Sequence, residues 1–130
     1  MSAAEIRFLS LEDVLELHEM QLAHYGGATG IRDSGLLESA VMVPQASFGG
    51  QYVHEGIYEM AAAYAFHIAE NQPFVDGNKR TALAAALVFL DWHQVEIEDP
   101  GEELYDAMIK LAEKKLDKNG LAELFERLAK

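Results

Sequence analysis

At 130 residues and 50% hydrophobic side chains, the chain has the size of one globular domain, long enough to bury a continuous core and too short for two. It has no cysteine, which excludes a disulfide framework, a thiolate metal site and a thiol nucleophile. Its formal charge of −12, from 22 acids against 10 bases, repels a phosphate backbone, so no nucleic-acid partner is expected.

Ser10 followed by Asp13 has the form of a capping box, and Leu11, Val14, Leu15, Leu17 and Leu22 among acids predict an amphipathic helix to about His24, stopped by Gly26-Gly27. A loop through Gly30-Ile31-Arg32-Asp33, in which Arg32-Asp33 reads as a salt bridge or helix start, leads to a short helix over Leu36 to Val41 closed by Pro44. From Gln45 to Gly56 the chain is Gly-rich and aromatic around Phe48-Gly49-Gly50-Gln51-Tyr52, which predicts a mobile flap or hairpin. Ile57 to Asn71 reads as an apolar, Ala-rich helix. Asn78 to His93 reads as another, nearly uncharged from Thr81 to Leu90 and therefore expected at the buried centre. That run is far short of a membrane span, and residues 1–30 hold no basic leader followed by an apolar core, so a soluble cytoplasmic protein with no membrane partner is expected.

Val95-Glu96-Ile97-Glu98 alternates like a short strand and is expected to pair with Ile6-Arg7-Phe8. Pro100-Gly101 then opens two amphipathic helices, about Glu102 to Leu116 and Gly120 to Ala129. The sum is a single all-α domain over residues 1–130, a bundle of about six helices with a short flap or hairpin and minor β decoration. Met20, Met42, Met60 and Met108 are expected to fill gaps in its core. His18, His24, His54 and His93 have no metal-ligand spacing and read as surface or helix-end residues; His67 reads as a core or groove-edge residue. Glu102-Glu103 and Lys114-Lys115 read as solvated faces.

Chemistry concentrates in Gln72-Pro73-Phe74-Val75-Asp76-Gly77-Asn78-Lys79-Arg80. Pro73 disfavours α-conformation at Gln72, so the preceding helix ends near Asn71 and the chain turns. Asp76 reads as a helix cap, Gly77 takes angles other residues avoid, and the chain is helical again from Asn78. Free N–H groups at that helix start, backed by Lys79 and Arg80, make an anion site, and in so acidic a chain this suggests a small anionic ligand.

With these residues the chain resembles the Fic/Doc family, and within it the death-on-curing (Doc) toxins rather than the larger Fic adenylyltransferases. The family motif reads His-Pro-Phe, two variable positions, Gly-Asn, then Lys-Arg in Doc-like members or Gly-Arg in Fic proper; Pro73, Phe74, Gly77, Asn78, Lys79 and Arg80 match it. The segments Tyr25-Gly26-Gly27 through Asp33 to Ala40, and Pro44-Gln45 to Gly49-Gly50, also resemble Doc-type members. The resemblance implies transfer of a phosphate-containing group from ATP or another nucleoside triphosphate, with Mg²⁺, to a hydroxyl of a target protein. Lys79 in place of glycine favours the kinase branch, whose target is elongation factor Tu; transfer of AMP is the Fic alternative. Asp76 would hold Mg²⁺, Phe74 would belong to the cofactor-binding loop, and the N–H groups of Gly77 and Asn78 with the Asn78 side chain would cradle phosphates. Lys79 and Arg80 would neutralise charge during transfer. The flap around Phe48 to Tyr52 would pair with the target segment. Ser34 to Glu38 ends in Ser39 and so fails the self-inhibitory pattern of some Fic proteins, which implies a Phd-like antitoxin acting in trans.

Gln72 departs from the motif, standing where the family has its catalytic histidine. A carboxamide can hydrogen-bond an attacking hydroxyl but cannot take its proton. Three accounts compete: an engineered substitution that keeps a toxic protein expressible, a natural pseudoenzyme that still binds nucleotide or antitoxin, and a variant whose substrate needs little base assistance.

Overall fold

A computed structural model describes residues 5–130. The elements run α1 (Leu11–Tyr25), α2 (Ser34–Met42), a 3-10 turn (Val43–Gln45), β1 (Ser47–Phe48), β2 (Gln51–Tyr52), α3 (Ile57–Asn71), α4 (Asn78–Trp92), α5 (Glu103–Ala112) and α6 (Lys118–Leu128). The architecture is all-α with one small hairpin, as the sequence predicts.

Local chemistry sets most of the boundaries. The Ser10 hydroxyl accepts from Asp13 N at 3.1 Å, and the Asp13 carboxylate accepts from Ser10 N at 2.8 Å, so both halves of the capping box form. Asp33 caps α2, accepting from Leu36 N at 2.9 Å, so the helix starts at Ser34 rather than Leu36. β1 and β2 pair antiparallel with Phe48 opposite Gln51. The two residues between them, Gly49 and Gly50, have φ of 61° and 82°, the left-handed pair a tight hairpin turn requires.

The centre of the molecule is α3, not α4. It packs against α2, α4, α5 and α6, and Met60 to Ala65 form a run of six consecutive buried residues, as expected of a helix covered on nearly all sides. Its alanines let neighbouring helices approach closely. By contrast, α4 buries only the stripe of Thr81, Ala82, Ala85, Ala86, Phe89 and Leu90, leaving Leu83 and Leu87 half-buried. Tyr64 of α3 and Phe89 of α4 pack with ring centroids 5.4 Å apart, each contributing on the order of 2 kcal/mol by burial alone. The Tyr64 hydroxyl accepts from Leu9 N at 2.8 Å, and burial pushes its pKa up.

Two further expectations are corrected. Residues 95–98 do not pair with Ile6-Arg7-Phe8: Ile97 bridges Ala129, Glu98 N donates to Leu128 O and Lys130 N donates to Glu96 O, each at 2.9 Å. Arg7 instead donates its backbone N–H to His93 Nε2 at 3.0 Å and lays its guanidinium on Trp92, which fixes the N-terminal segment to the end of α4. Met60 and Met108 lie in the core, but Met20 and Met42 are both 57% exposed, on the solvent faces of α1 and α2. Among the described residues, no helix is long and apolar enough to cross a membrane.

Candidate active site

The loop of residues 72–77 joins α3 to α4, and the rest of the fold pins it from below. Gln72 ends α3 with φ 46° and ψ 58°, left-handed, and its N–H still donates to Ile68 O at 3.1 Å. This is the helix stop that Pro73 predicts. Arg32 completes it: Nε donates to Gln72 O at 2.7 Å and an Nη donates to Asn71 O at 2.8 Å, satisfying carbonyls the helix end leaves orphaned. Pro73 O accepts from both Arg32 N and Asp33 N, and Val75 N donates to Gly30 O at 3.0 Å, so residues 30–33 run along the loop as a strap. Arg32 and Asp33 thus serve two different helix ends and are not each other's ion pair.

Phe74 is the loop's anchor. It is 1% exposed and stacks on His18 with centroids 3.7 Å apart and planes 6° from parallel. His18 is itself buried and donates from Nε2 to Asp76 O at 2.8 Å, so the expectation of a surface histidine is corrected. Its signal was available only as a polar residue on the apolar face of α1. Asn78 closes the loop on itself: Oδ1 accepts from Phe74 N at 2.9 Å and Nδ2 donates to Phe74 O at 3.0 Å. The Asn78 amide, expected to cradle phosphates, is therefore engaged in holding the loop's shape.

Asp76 faces outward. Its Oδ2 accepts from Ala28 N at 3.1 Å and its Oδ1 from Gly77 N at 2.9 Å, and these bonds, with the nearby charges of Arg80 and His18, hold its carboxyl below the usual range. The helix N-cap is Gly77, at φ 78°, rather than Asp76. Gly27 explains part of the Gly26-Gly27 pair: a Cβ there would lie 2.8 Å from Asp76 Oδ2, so only glycine lets the end of α1 pass this closely.

No side chain caps α4, so the N–H groups of Asn78, Lys79 and Arg80 have no capping partner, whereas that of Gly77 is taken by Asp76. Lys79 and Arg80 are exposed beside them, with the Arg80 guanidinium 4.4 Å from the Tyr25 ring centroid. Glu70, Gln72, Asp76, Lys79 and Arg80 line one cleft of about 620 Å³, whose other wall is α5 and the turn after it, with Tyr105, Leu111 and Lys114. Phe74 does not line it. The residues present suit Mg²⁺ held jointly with phosphates: of the two carboxylates on the cleft, Glu70 pairs with Lys114, while Asp76 is held in its ionised form beside the start of α4.

His67 is not a replacement base. Lys118 Nζ donates to His67 Nε2 at 2.9 Å and to His54 Nε2 at 3.1 Å, joining α3, α6 and the segment after the hairpin. An ammonium can only donate, so both imidazoles accept as neutral rings. Burial, then Lys118 and His54, push His67 down to about 4.

A helix, a proline-turned loop anchored by a buried Phe and closed by an Asn, and a second helix opening on two cations together define a known class. The Fic/DOC family model matches residues 8–90, and the chain belongs to that family. It is 32% identical over 123 residues to the protein kinase Doc of Escherichia phage P1, covering 95% of this chain and 96% of that one. It is also 41% identical over 90 residues to the toxin Doc of Mycolicibacterium smegmatis, covering 69% and 67% respectively.

Proposed function

We propose that this chain is a Doc-like toxin built to transfer the γ-phosphoryl group of ATP to a hydroxyl of a target protein, elongation factor Tu, and that Gln72 impairs the step. The observation that carries the reading is the uncapped start of α4 with Lys79 and Arg80 beside Asp76, at one end of a cleft large enough for a nucleoside triphosphate. The N–H groups of residues 78–80 would bind phosphate oxygens, the two side-chain cations would offset charge growing on the transferred group, and Asp76 would hold Mg²⁺, which when bound supplies further charge neutralisation. Gln72 lies on the same cleft and would orient the target hydroxyl without removing its proton. A Phd-like antitoxin would silence the active form in a cytoplasmic setting.

Gln72 also favours a second reading, a pseudoenzyme that holds nucleotide or antitoxin without turnover. Reverting the residue separates the two. Gln72→His should raise phosphate transfer from labelled ATP to elongation factor Tu by roughly 10² to 10⁴, the range of a positioned base, and arrest growth on expression. An inert revertant that still binds ATP supports the pseudoenzyme. Intact-mass analysis of the modified target distinguishes phosphoryl from AMP transfer.

A further inference from the structure

Lys114 lies on the α5 wall of the cleft, where its ammonium pairs with the Glu70 carboxylate from the last turn of α3. Its backbone is unusual. α5 ends with Lys114 N donating to Leu111 O at 3.2 Å and Lys115 N to Lys110 O at 2.8 Å, the two bonds of a Schellman ending, with Lys114 at φ 63° in the left-handed position. Glycine is the usual residue there because it alone takes that conformation without a Cβ penalty. Lysine is strained by comparison, and its ion pair offsets little, since the two side chains are 70% and 39% exposed. Neither the turn nor the pair explains a lysine at this position, but its place on the cleft does.

We infer that Lys114 is a third phosphate-binding cation of the nucleotide site and that Glu70 is the counter-ion a triphosphate displaces on entering. The inference rests on the cleft being the nucleotide site. Lys79 and Arg80 stand at the loop end and Lys114 at the α5 end, so a polyphosphate chain lying between them would be gripped from both walls. A triphosphate carries more negative charge than one carboxylate and so takes the ammonium. Glu70, left unpaired beside it, then opposes binding.

The two partners should therefore respond with opposite signs in calorimetric titration of the full chain with MgATP. Lys114→Gly is expected to raise Kd about tenfold, the loss of one charge-assisted bond, while Tm stays level or rises because glycine suits the left-handed site. Lys114→Arg should bind nearly as the parent does, and Glu70→Gln should lower Kd several-fold. A Lys114→Gly chain that binds MgATP like the parent, or a Glu70→Gln chain that binds it more weakly, overturns the inference and leaves the nucleotide site standing. A parent chain that binds no MgATP overturns both.

Discussion

The loop of residues 72–77 and the hairpin of residues 47–52 flank the same helix, α3, and are built on opposite principles. In the loop nearly every polar group is assigned: Arg32 closes α3, residues 30–33 strap Pro73 and Val75, and Asn78 and His18 hold Phe74 from two sides. The hairpin has two short paired strands, two left-handed glycines, a Phe48 that is 86% exposed, and one edge contact from Tyr52 to Phe8 at 5.5 Å. On the proposed function the loop's groups meet a phosphate and need fixed positions, because misplacement is costly in rate. On the proposed function the hairpin pairs with a segment of the target, a role that open edges and an uncovered aromatic suit.

The contrast can be broken most sharply at Arg32. Arg32→Ala removes two hydrogen bonds and re-exposes the last carbonyls of α3, and should lower stability by about 1–3 kcal/mol in urea unfolding, with MgATP affinity falling too. Unchanged stability would mean the strap backbone alone sets the loop.

A smaller effect should come from His67, which anchors the hairpin's side of α3 through Lys118. Its folded pKa of about 4 lies below its ordinary 6.5, so between those values the unfolded state binds more protons. Stability should therefore fall as pH drops through that window, and His54, shifted in the same direction, adds to the slope. His67→Gln should flatten the upper part of the curve, before carboxylates titrate, and a slope equal to the parent's would refute the role.

The smallest stability change should be at Phe48. Phe48→Ala should move the unfolding free energy by less than about 0.5 kcal/mol, yet lower modification of the target by the Gln72→His form. Loss of stability without loss of modification would make the hairpin structural.

The sequence made legible what is local. A capping box, glycine pairs, a proline after a helical run and an uncharged alanine-rich stretch place α1, α3, α4 and the loop almost to the residue, because each signal acts within a few positions. That Asp76, Lys79 and Arg80 lie together on one cleft is legible for the same reason, since they fall within five consecutive positions. The pairings across the fold were not. Arg32 reaches carbonyls 39 and 40 positions away, His18 meets Asp76 across 58, and Glu70 meets Lys114 across 44. Nothing near those residues marks the partner. Residues 95–98 failed similarly: alternation identifies an extended segment but not which of two chain ends lies beside it.

At position 72 the fold uses only the backbone: the N–H closes α3, and the carbonyl receives Arg32. The side chain itself is exposed on the cleft. Histidine tolerates left-handed angles better than most residues, so exchanging glutamine for it asks nothing new of the main chain. On the proposed function, the choice between a silent and a working copy thus sits on a site decoupled from folding, where a single codon can pass in either direction unseen by stability.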